Sequence, residues 1–542
     1  MHIKQIEEYE QIAFEAINEV FSKEFNNSLG LPLPKVKMLL PDEKNYHSGE
    51  YFIQIGDSWQ IHLNFGKLPS KQKEFREEVK VLTRHEIGHY MFCPYDVLTH
   101  LRMISQVLEV YKQSFNGLGI NIRDVSENIV NQVSDIIVDT INFHQHPKET
   151  LISEISWIKK GPDLSSCNNY QKLMFLVKEA IWGNSLDINE KDNNILEIAR
   201  KTAETLLEDG IENKSRFKEK TKKYAITYFQ LFQNNPPFAC KKEGIPMKGE
   251  GIGEMLIYND SEQLNEALNT FAQESTLQQF CDVLDAINGA RHIPQKDKEK
   301  IWFSIQSAKM IPIVEYDSSS EETGYTFPST WKLGDSFEDI DLMLSFSNGP
   351  RLIPGITTKK WEKVSQDGFG QKKRIRDLLL VLDTSGSMGY LVSEQSNMHQ
   401  AILVSYGIIS FFEKENNNIA VLGFSNGITI NYPWTKEYDA VREAILVNGS
   451  GSTIFPIRAI QNLHDESKNS LVTVVVTDGD FSNQTETVNY FRSYISNGNK
   501  LYMFILGDEK KRQTFDFLRN IGANVWNSNN ADGFCKYVIN DL

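Results

Sequence analysis

Apolar residues in the first 300 positions recur mainly with the spacing of amphipathic helices. In residues 3–24, one side of such a helix collects seven apolar side chains: Ile6, Tyr9, Ile12, Ala13, Ala16, Ile17 and Val20. Helical spacing also marks the segments 71–83, 124–144, 170–182, 195–209, 217–233 and 261–287. Side chains three or four positions apart share a helix face, so each segment is predicted to be helical.

Two stretches near the N-terminus follow a different pattern. YFIQIG (51–56) and WQIHLNF (59–65) alternate between apolar and polar residues, and Asp57 and Ser58 lie between them. Alternation with a period of two places every second side chain on the same face of a strand. The two stretches are therefore predicted to form a β-hairpin.

From residue 374 onwards, continuous apolar runs replace the helical pattern. They occur at RIRDLLLVLD (374–383), LVTVVVTDGD (471–480) and KLYMFILGD (500–508). Helical stretches separate them, at 397–414, 436–446, 484–496 and 510–520. Strands buried on both faces and alternating with helices predict a parallel, doubly wound α/β sheet. Residues 327–370, rich in Pro, Gly and Trp, are predicted to be irregular.

These patterns predict a multidomain chain of mixed α+β and α/β class. Residues 1–150 form an α+β domain, 151–370 a mainly helical middle region and connector, and 371–542 an α/β domain. A chain of 542 residues is long enough for two to four such cores.

The overall charge narrows the range of functions. The chain carries 57 Lys and Arg against 72 Asp and Glu, a net charge of −15. An acidic chain is a poor ligand for nucleic acid and for anionic membranes, so neither is expected as a partner. Five scattered cysteines without a CxxC pair indicate reduced thiols, and the acidic N-terminal segment is unlike a signal peptide. We therefore expect a cytoplasmic protein.

The segment TRHEIGHY (83–90) contains an HExxH pattern. On a helix, His85 and His89 point to the same side and can bind one zinc ion, while Glu86 can act as general base on a water. Stabilisation of an oxyanion would fall to Tyr90, to Tyr95 or to a residue of the middle region. The pattern thus predicts the centre of a zinc-dependent hydrolase.

A third zinc ligand is expected on the predicted helix 124–144. Glu127, Asn131, Asp135 and Asp139 recur every four residues in an otherwise apolar segment. A buried line of carboxylates is costly unless it meets a cation or hydrogen-bond donors. Asp135, at the centre, is the preferred ligand, with Glu127 or Asp139 as alternatives, and Asn131 is expected to donate a supporting hydrogen bond.

Other residues near these segments are weaker candidates for the metal. Cys93 follows His89 by four positions but adjoins Pro94, where the helix is expected to end. His144 and His146 lie at the predicted end of the second helix, and His100 is expected at the surface. None of them is preferred over Asp135.

The C-terminal domain contains a second candidate metal site. DTSGS (383–387) follows the first buried strand, Thr453 lies in NGSGSTIF, and Asp478 lies in TDGD after another buried strand. The carboxyl ends of parallel strands meet at one edge of a sheet, where ligands bind. Hydroxyl and carboxylate oxygens are ligands that suit Mg²⁺.

This second pattern closely resembles the metal-ion-dependent adhesion site of von Willebrand factor A (VWA) domains, which have a Rossmann-like fold. The resemblance covers 374–542 and implies that five residues bind Mg²⁺, leaving one position open for a carboxylate of a partner protein. Those residues are Asp383, Ser385, Ser387, Thr453 and Asp478.

The N-terminal region also resembles a known family. HEIGHYMFCPYD, followed by an NxxxDxxxD helix, is similar to the zincin-like metallopeptidase domains that are fused to A domains in bacteria. Such proteins are partners of MoxR-type AAA+ ATPases, which the resemblance implies here as well. The family often has Asn where this chain has Asp139, so the choice between Asp135 and Asp139 stays open.

Together these observations predict a zinc metallopeptidase that acts on protein or peptide clients and binds an AAA+ ATPase through Mg²⁺. The alternative is a VWA adaptor with a structural or vestigial HExxH site. A third possibility, a metal-chelatase subunit, does not account for HExxH. A closed site with four protein ligands would favour the adaptor, whereas an open cleft beside the hairpin would favour the peptidase.

Overall fold

The protein is represented by a computed structural model that describes most of the chain. The described residues are 3–24, 35–39, 51–54, 60–64, 70–160, 164, 167–234, 261–287, 293–310, 324–331, 340–341, 344–345, 358–364, 376–467, 471–479, 481–507, 515–520, 522–527 and 531–541. The chain divides into two compact units, Met1–Ile305 and Gln306–Leu542. Residues 151–305 therefore belong to the same unit as the HExxH segment.

The first unit begins with a helix packed on a small sheet. The elements in order are α1 (Ile3–Lys23), β1 (Lys35–Leu39), β2 (Tyr51–Gln54), β3 (Gln60–Asn64) and α2 (Gln72–Met91). As the alternating pattern predicts, β2 and β3 pair antiparallel, and β1 joins β3 in parallel. The turn between β2 and β3, residues 55–59, lies outside the described residues.

One apolar core joins these first elements. It contains residues of α1, β3 and α2: Tyr9, Ala13, Ala16, Ile17, Phe21, Ile61, Leu63, Phe75, Val79, Leu82 and Ile87. Because this core fills one face of α2, the opposite face, which carries His85 and His89, is turned towards the helices that follow.

The rest of the first unit is helical in its described part. The helices are α3 (Val97–Val110), α4 (Ile122–Gln145), α5 (Pro147–Lys160), α6 (Asn169–Trp182), α7 (Asn193–Leu207), α8 (Phe217–Asn234), α9 (Ser261–Glu274), α10 (Leu277–Ile287) and α11 (Gln295–Ala308). α4 is central, with contacts to α2, α3, α5, α6, α8 and α10. Its buried side chains include six apolar ones, Ile129, Val130, Val133, Ile136, Ile137 and Val138, and the polar Asp135 and Asp139.

The segment 261–287 forms two helices, where the sequence predicted one. The helix is interrupted at Thr276. The Thr276 hydroxyl accepts a hydrogen bond from the Gln279 amide at 3.2 Å, and the Gln279 side chain accepts one from the Thr276 amide at 3.1 Å. This reciprocal pair is a capping box, which begins a new helix at Leu277.

The second unit contains a small sheet in a region predicted to be irregular. Its strands are β4 (Gly324–Thr330), β5 (Ile340–Asp341) and β6 (Lys359–Val364), in the order β4-β6-β5. All pairs in this sheet are antiparallel. This part of the prediction was wrong, because β5 has two residues and the strands show no regular alternation of apolar and polar positions.

The larger sheet of the second unit has six strands in the order β12-β11-β10-β7-β8-β9. Its elements are β7 (Asp377–Asp383), α12 (Asn397–Lys414), β8 (Ile419–Phe424), β9 (Ile428–Thr435), α13 (Tyr438–Ala444), α14 (Ile457–Glu466), β10 (Leu471–Thr477), α15 (Gln484–Ser496), β11 (Lys500–Ile505), α16 (Asp516–Arg519), β12 (Asn524–Asn527) and α17 (Ala531–Asp541). The helices at 397–414 and 484–496 match their predicted bounds.

The predicted all-parallel sheet is corrected at one edge. β7, β8, β10, β11 and β12 run parallel to one another, but β9 runs antiparallel to β8. Residues 425–427 are the whole connection between β8 and β9, and a connection this short can join only antiparallel strands. The sheet is therefore mixed.

Among the described residues, no helix combines the length and the apolar character that crossing a membrane would require.

Candidate metal centres

The structure brings His85, His89 and Asp135 together between α2 and α4. The two histidine Nε2 atoms lie 3.1 Å apart, and Asp135 Oδ1 lies 3.6 Å from His85 Nε2 and 3.4 Å from His89 Nε2. Ligand atoms of a tetrahedral zinc ion, each bonded at about 2.0–2.1 Å, are about 3.3 Å apart. The three atoms thus have the separations that a single zinc ion requires.

Hydrogen bonds to the opposite ring nitrogens fix the two histidines in this orientation. His85 Nδ1 lies 2.7 Å from Asp139 Oδ1, and His89 Nδ1 lies 2.9 Å from the Cys93 carbonyl oxygen. Both partners are acceptors, so each Nδ1 carries the proton and each Nε2 presents a lone pair. Asp139, one of the two alternative ligands, therefore lies behind His85, on the side away from Asp135.

A buried lysine continues this arrangement behind Asp139. Lys178 of α6 donates to Asp139 Oδ2 at 2.5 Å and to Glu154 Oε1 of α5 at 2.9 Å, and each of the three side chains is 1% exposed or less. Glu86, 2% exposed, is the fourth carboxylate of the region after Asp135, Asp139 and Glu154. Of these four buried carboxylates, Asp139 and Glu154 are in contact with Lys178.

The charges of the region favour occupation by a cation. Burial opposes ionisation of His85, but the nearby Asp139 carboxylate outweighs it and raises the pKa of this histidine. When no ion is bound, protonated histidines can offset part of the negative charge: burial raises the pKa of Asp135, but a hydrogen bond from protonated His89 and the charges of both protonated rings outweigh burial and lower that pKa. Uncompensated buried charge is costly, and a divalent ion would offset most of the negative excess. The residues therefore fit zinc.

The hydroxyl of Tyr90 lies in the buried region near Glu86. The Tyr90 hydroxyl is buried and forms no hydrogen bond with any residue that the structure describes. Burial and the negative charge of Glu86 both raise the pKa of Tyr90, so its hydroxyl remains protonated and can donate. Tyr95, the other tyrosine considered, instead has its ring 3.7 Å from Lys214 Nζ.

The remaining candidates from the sequence lie outside the ligand group. Glu127 is half-buried two turns before Asp135, and His146 Nε2 lies 3.3 Å from Glu24 Oε2. Burial raises the pKa of Cys93 to about 12, so its side chain is a neutral thiol, and its Sγ contacts Ser134. His144 is exposed.

His100 corrects an expectation. It was expected at the surface, but its side chain is fully buried in α3, and neither ring nitrogen has a described partner. Burial lowers its pKa from the usual 6.5 to about 4. The sequence did not indicate this, because α3 follows the Pro94 break and its helical face was not identified.

The second candidate site lies at the carboxyl ends of β7 and β10. The Ser385 amide donates to Asp383 Oδ1 at 2.9 Å, Thr477 Oγ1 donates to Asp383 Oδ2 at 2.6 Å, and the hydroxyls of Ser385 and Ser387 are 3.1 Å apart. Burial, together with the charge of Asp478, raises the pKa of Asp383 to about 6. The two aspartates are therefore close neighbours.

Backbone hydrogen bonds hold the Thr453 loop against the DTSGS turn. The Gly386 amide donates to the Gly451 carbonyl, the Ser450 amide to the Thr384 carbonyl and the Gly449 amide to the Gly389 carbonyl, each at 2.9 Å. A Cβ atom added at Gly449 would lie 2.3 Å from the Ser385 carbonyl oxygen. Only glycine permits this approach.

The five sequence-predicted residues of this site fall on loops that this packing brings together. Asp383, Ser385, Thr453 and Asp478 are buried, whereas Ser387 is exposed. All five offer carboxylate or hydroxyl oxygens and no nitrogen or sulfur, a donor set that suits Mg²⁺. Asp383 and Asp478 are both buried and close to each other, and a bound cation would offset the repulsion between their negative charges. The residues therefore fit Mg²⁺.

Comparison with known proteins identifies the second unit in part. Residues 378–480 match the family described as von Willebrand factor type A domain, so the chain contains a VWA domain. Domains of this class generally mediate protein–protein interaction. The match does not extend to the residues that carry the histidine site, and no curated protein matches the chain.

Solved structures with some similarity cover the chain to different extents. The conserved hypothetical protein BatB from Bacteroides thetaiotaomicron is 14% identical over 31% of this chain and 96% of its own, with a TM-score of 0.26. The SpRpn10 VWA domain is 14% identical over 31% and 95%, with a TM-score of 0.24. The Deinococcus radiodurans RO (RSR) protein is 11% identical over 80% and 93%, with a TM-score of 0.20. Similarities this low do not transfer a function.

Proposed function

We propose that this protein is a zinc-dependent metallopeptidase that acts on protein or peptide clients and binds a partner through the Mg²⁺ site of its VWA domain. The observation that supports the first part most strongly is the triangle of ligand atoms of His85, His89 and Asp135, with sides of 3.1–3.6 Å. Three protein ligands leave a fourth position for water, as in catalytic zinc sites.

Each residue of the site has a distinct task in this proposal. Zinc, when bound, supplies Lewis-acid polarisation of the substrate carbonyl and lowers the pKa of water. His85, His89 and Asp135 hold the ion, and Asp139 and the Cys93 carbonyl keep both imidazoles oriented. The Glu86 carboxylate accepts the proton of the attacking water and later donates it to the nitrogen of the leaving amine. The Tyr90 hydroxyl is the candidate donor to the developing oxyanion.

The hairpin provides a place for the substrate backbone. β2 contacts α2 and pairs with β3 alone among the described strands. An extended peptide can add to such a strand through main-chain hydrogen bonds, which bind a backbone without regard to side chains. A scissile bond held along β2 would lie next to the helix that carries Glu86.

Elemental analysis combined with cleavage of a peptide library tests the peptidase. Wild-type protein is expected to contain one zinc ion per chain and to cleave. Glu86→Gln should keep the zinc but lose cleavage by about 100-fold or more, since Glu86 is not a ligand. Asp135→Ala should lose the zinc as well. Glu127→Gln, a matched change on α4 outside the ligand group, should retain both. Cleavage by Glu86→Gln at the wild-type rate would refute the proposal.

A second candidate, a VWA adaptor with a structural zinc site, is favoured by the burial of the ligands. His85, His89 and Asp135 are 2%, 5% and 7% exposed. In that case the protein contains stoichiometric zinc yet cleaves nothing, even after the partner is added. Partner binding would then be unchanged in Glu86→Gln.

The proposed partner is a MoxR-type AAA+ ATPase, and the proposed location is the cytoplasm. No disulfide joins the four cysteines that the structure describes, which supports a reducing compartment. The ATPase encoded in the same genome should co-purify with wild-type protein in Mg²⁺ but not with Asp383→Ala. Equal recovery with both proteins would contradict a Mg²⁺-mediated contact.

A further inference from the structure

Large apolar side chains are exposed on the loops of the candidate Mg²⁺ site. Tyr390 is 70% exposed, Ile428 52%, Ile454 44% and Val392 40%. Tyr390 lies three residues after Ser387, and Ile454 directly follows Thr453, so two of them adjoin metal-ligand positions in the chain. We call these four residues the apolar rim.

Hydrogen bonds show that the loops of the rim are contiguous. The Ile454 amide donates to the Ser425 carbonyl at 2.7 Å, and the Ser425 amide donates to the Gly427 carbonyl at 2.9 Å, next to Ile428. On the other side, the Leu391 amide donates to Asn448 Oδ1 at 2.9 Å, which ties the segment of Tyr390 and Val392 to the Thr453 loop. The rim is thus part of one continuous surface with the metal site.

The three chain segments that carry the apolar rim and the Thr453 loop lack charged residues. The segments 384–393, 425–428 and 447–456 contain no charged residue, although 24% of the whole chain is charged. The loop after β10 contributes acidic residues alone, Asp478 and Asp480, of which Asp480 lies outside the described residues. A bound cation would therefore be the one positive feature that these loops offer.

We propose that the apolar rim and the Mg²⁺ site together bind a partner segment in which a single carboxylate is flanked by large apolar side chains. This inference rests on the proposed Mg²⁺-dependent partner binding and adds the chemistry of the partner. The carboxylate occupies the open position of the ion, and the apolar neighbours remove the four rim side chains from water. A cluster of acidic residues is disfavoured, because the segments 384–393, 425–428 and 447–456 contain no basic side chain that could balance the additional charges.

Three constrained peptides of equal length, measured by calorimetry against the full chain in Mg²⁺, test this inference. Each has a central Asp, flanked by Leu and Phe, by Ser and Gly, or by Glu. The apolar-flanked peptide should bind about tenfold more tightly than the other two. Its affinity should change less than about twofold between low and high salt, because one shielded ion contact carries little long-range attraction.

Variants of the rim separate its role from that of the ion. The double variant Tyr390→Ser, Ile454→Ser should bind the apolar-flanked peptide about tenfold more weakly than wild type. Its affinity for Mg²⁺ alone should stay unchanged. Ile152→Ser replaces an isoleucine of the other unit that is 69% exposed, against 44% for Ile454, and should change neither measurement.

The outcomes distinguish the two proposals. If calorimetry shows no binding of Mg²⁺ alone, the Mg²⁺-dependent partner binding fails. If Mg²⁺ binds but the three peptides bind equally, the Glu-flanked peptide binds best, or none binds, the assignment of the apolar rim is overturned.

Discussion

The two candidate metal centres are constructed in opposite ways. The histidine site lies between helices, its ligands on α2 and α4 are buried, and a second layer of buried charges from α5 and α6 supports it. The VWA site lies on loops at the ends of strands, its ligands are oxygens, and backbone hydrogen bonds position it beneath an exposed surface. A site enclosed by ionised side chains is therefore coupled to the stability of the helices that carry it. A site on exposed loops can instead accept a ligand atom from a partner protein.

The largest expected effect concerns Lys178, the cation enclosed in the first site. Lys178→Met leaves Asp139 and Glu154 buried without their partner, which should lower the free energy of unfolding by about 3–5 kcal/mol. Urea denaturation of the full chain measures this. Lys223→Met, which removes exposed ion pairs with Glu208 and Glu219, should leave the urea midpoint close to that of wild type, because water screens exposed pairs. If the two variants were equally stable, the second layer would not contribute to stability as the comparison requires.

A pH-dependent effect follows from His100, which is buried in the same unit. Its pKa is about 4 in the folded protein and near 6.5 when unfolded. Above pH 6.5 both states are neutral, but below it the unfolded state binds a proton that the folded state does not. The contribution of His100 to the free energy of unfolding should therefore decrease by about 3 kcal/mol between pH 6.5 and pH 4.

The variant His100→Leu isolates this contribution. Its unfolding free energy should decline less steeply than that of wild type between pH 7 and pH 4.5, by about 2–3 kcal/mol. His144→Leu, an exposed histidine, should retain the wild-type slope. Identical slopes for wild type and His100→Leu would show that His100 is accessible to protons in the folded protein.

The close approach at Gly449 tests the loop construction of the second site. Gly449→Ala places a Cβ against backbone atoms of Ser385 and Gly389, which cannot move independently of the DTSGS turn. We expect a loss of about 1–3 kcal/mol, measured as at least a fivefold weaker binding of Mg²⁺ by calorimetry. Gly427→Ala, where the added Cβ meets no atom within 4 Å, should bind Mg²⁺ normally.

In the first site, the close contact of a glycine is with a side chain, Val138, and not with backbone atoms. A second substitution should therefore relieve the clash that a substitution of the glycine creates. A Cβ at Gly88 would lie 2.4 Å from Val138 Cγ1, so Gly88→Ala separates α2 from α4 and weakens zinc binding. The double variant Gly88→Ala, Val138→Ala removes the obstructing methyl and should restore part of the zinc affinity, measured by competition with a chelating dye. If the double variant bound zinc more weakly than Gly88→Ala, a direct clash between the two helices would not be the cause of the weakened zinc binding.

The smallest effect is expected on one metal centre when the other is altered. Asp383→Ala should remove Mg²⁺ binding and leave the zinc content of the full chain unchanged, because the sites lie in separate compact units. Elemental analysis measures both. A loss of zinc in this variant would show that the two regions are energetically coupled.

The ease of prediction also differs between the two regions. Asp383, Ser385 and Ser387 lie within five residues at a strand end, and His85 and His89 lie one helical turn apart, so local sequence was sufficient to propose them. The choice between Asp135 and Asp139 was not local, since both lie on one face of α4. It depends on Lys178, a residue of another helix, which binds Asp139 and leaves Asp135 facing the histidines.

Some features depended on tertiary contacts that leave little trace in sequence. Lys178 shares a face of α6 with the apolar residues Met174, Phe175 and Trp182, which lie three or four positions away. That spacing was the signal in the sequence for its burial. The capping box at Thr276 was visible as Thr and Gln three residues apart, but the helical periodicity on both sides concealed it. The strands of 324–364 are short, and their apolar residues do not alternate regularly with polar ones, so the sequence did not reveal them.

The lysine bridge has a consequence for the life of the protein in the cell. Glu154 and Lys178 connect α5 and α6 to Asp139 of α4, which orients His85 of α2, so the proposed zinc ion would stabilise four helices at once. Ligand binding to the native state alone adds free energy that grows with the logarithm of free ligand concentration. We therefore expect chains synthesised during zinc starvation to unfold more often and to be degraded sooner, so that cellular abundance would follow the zinc supply.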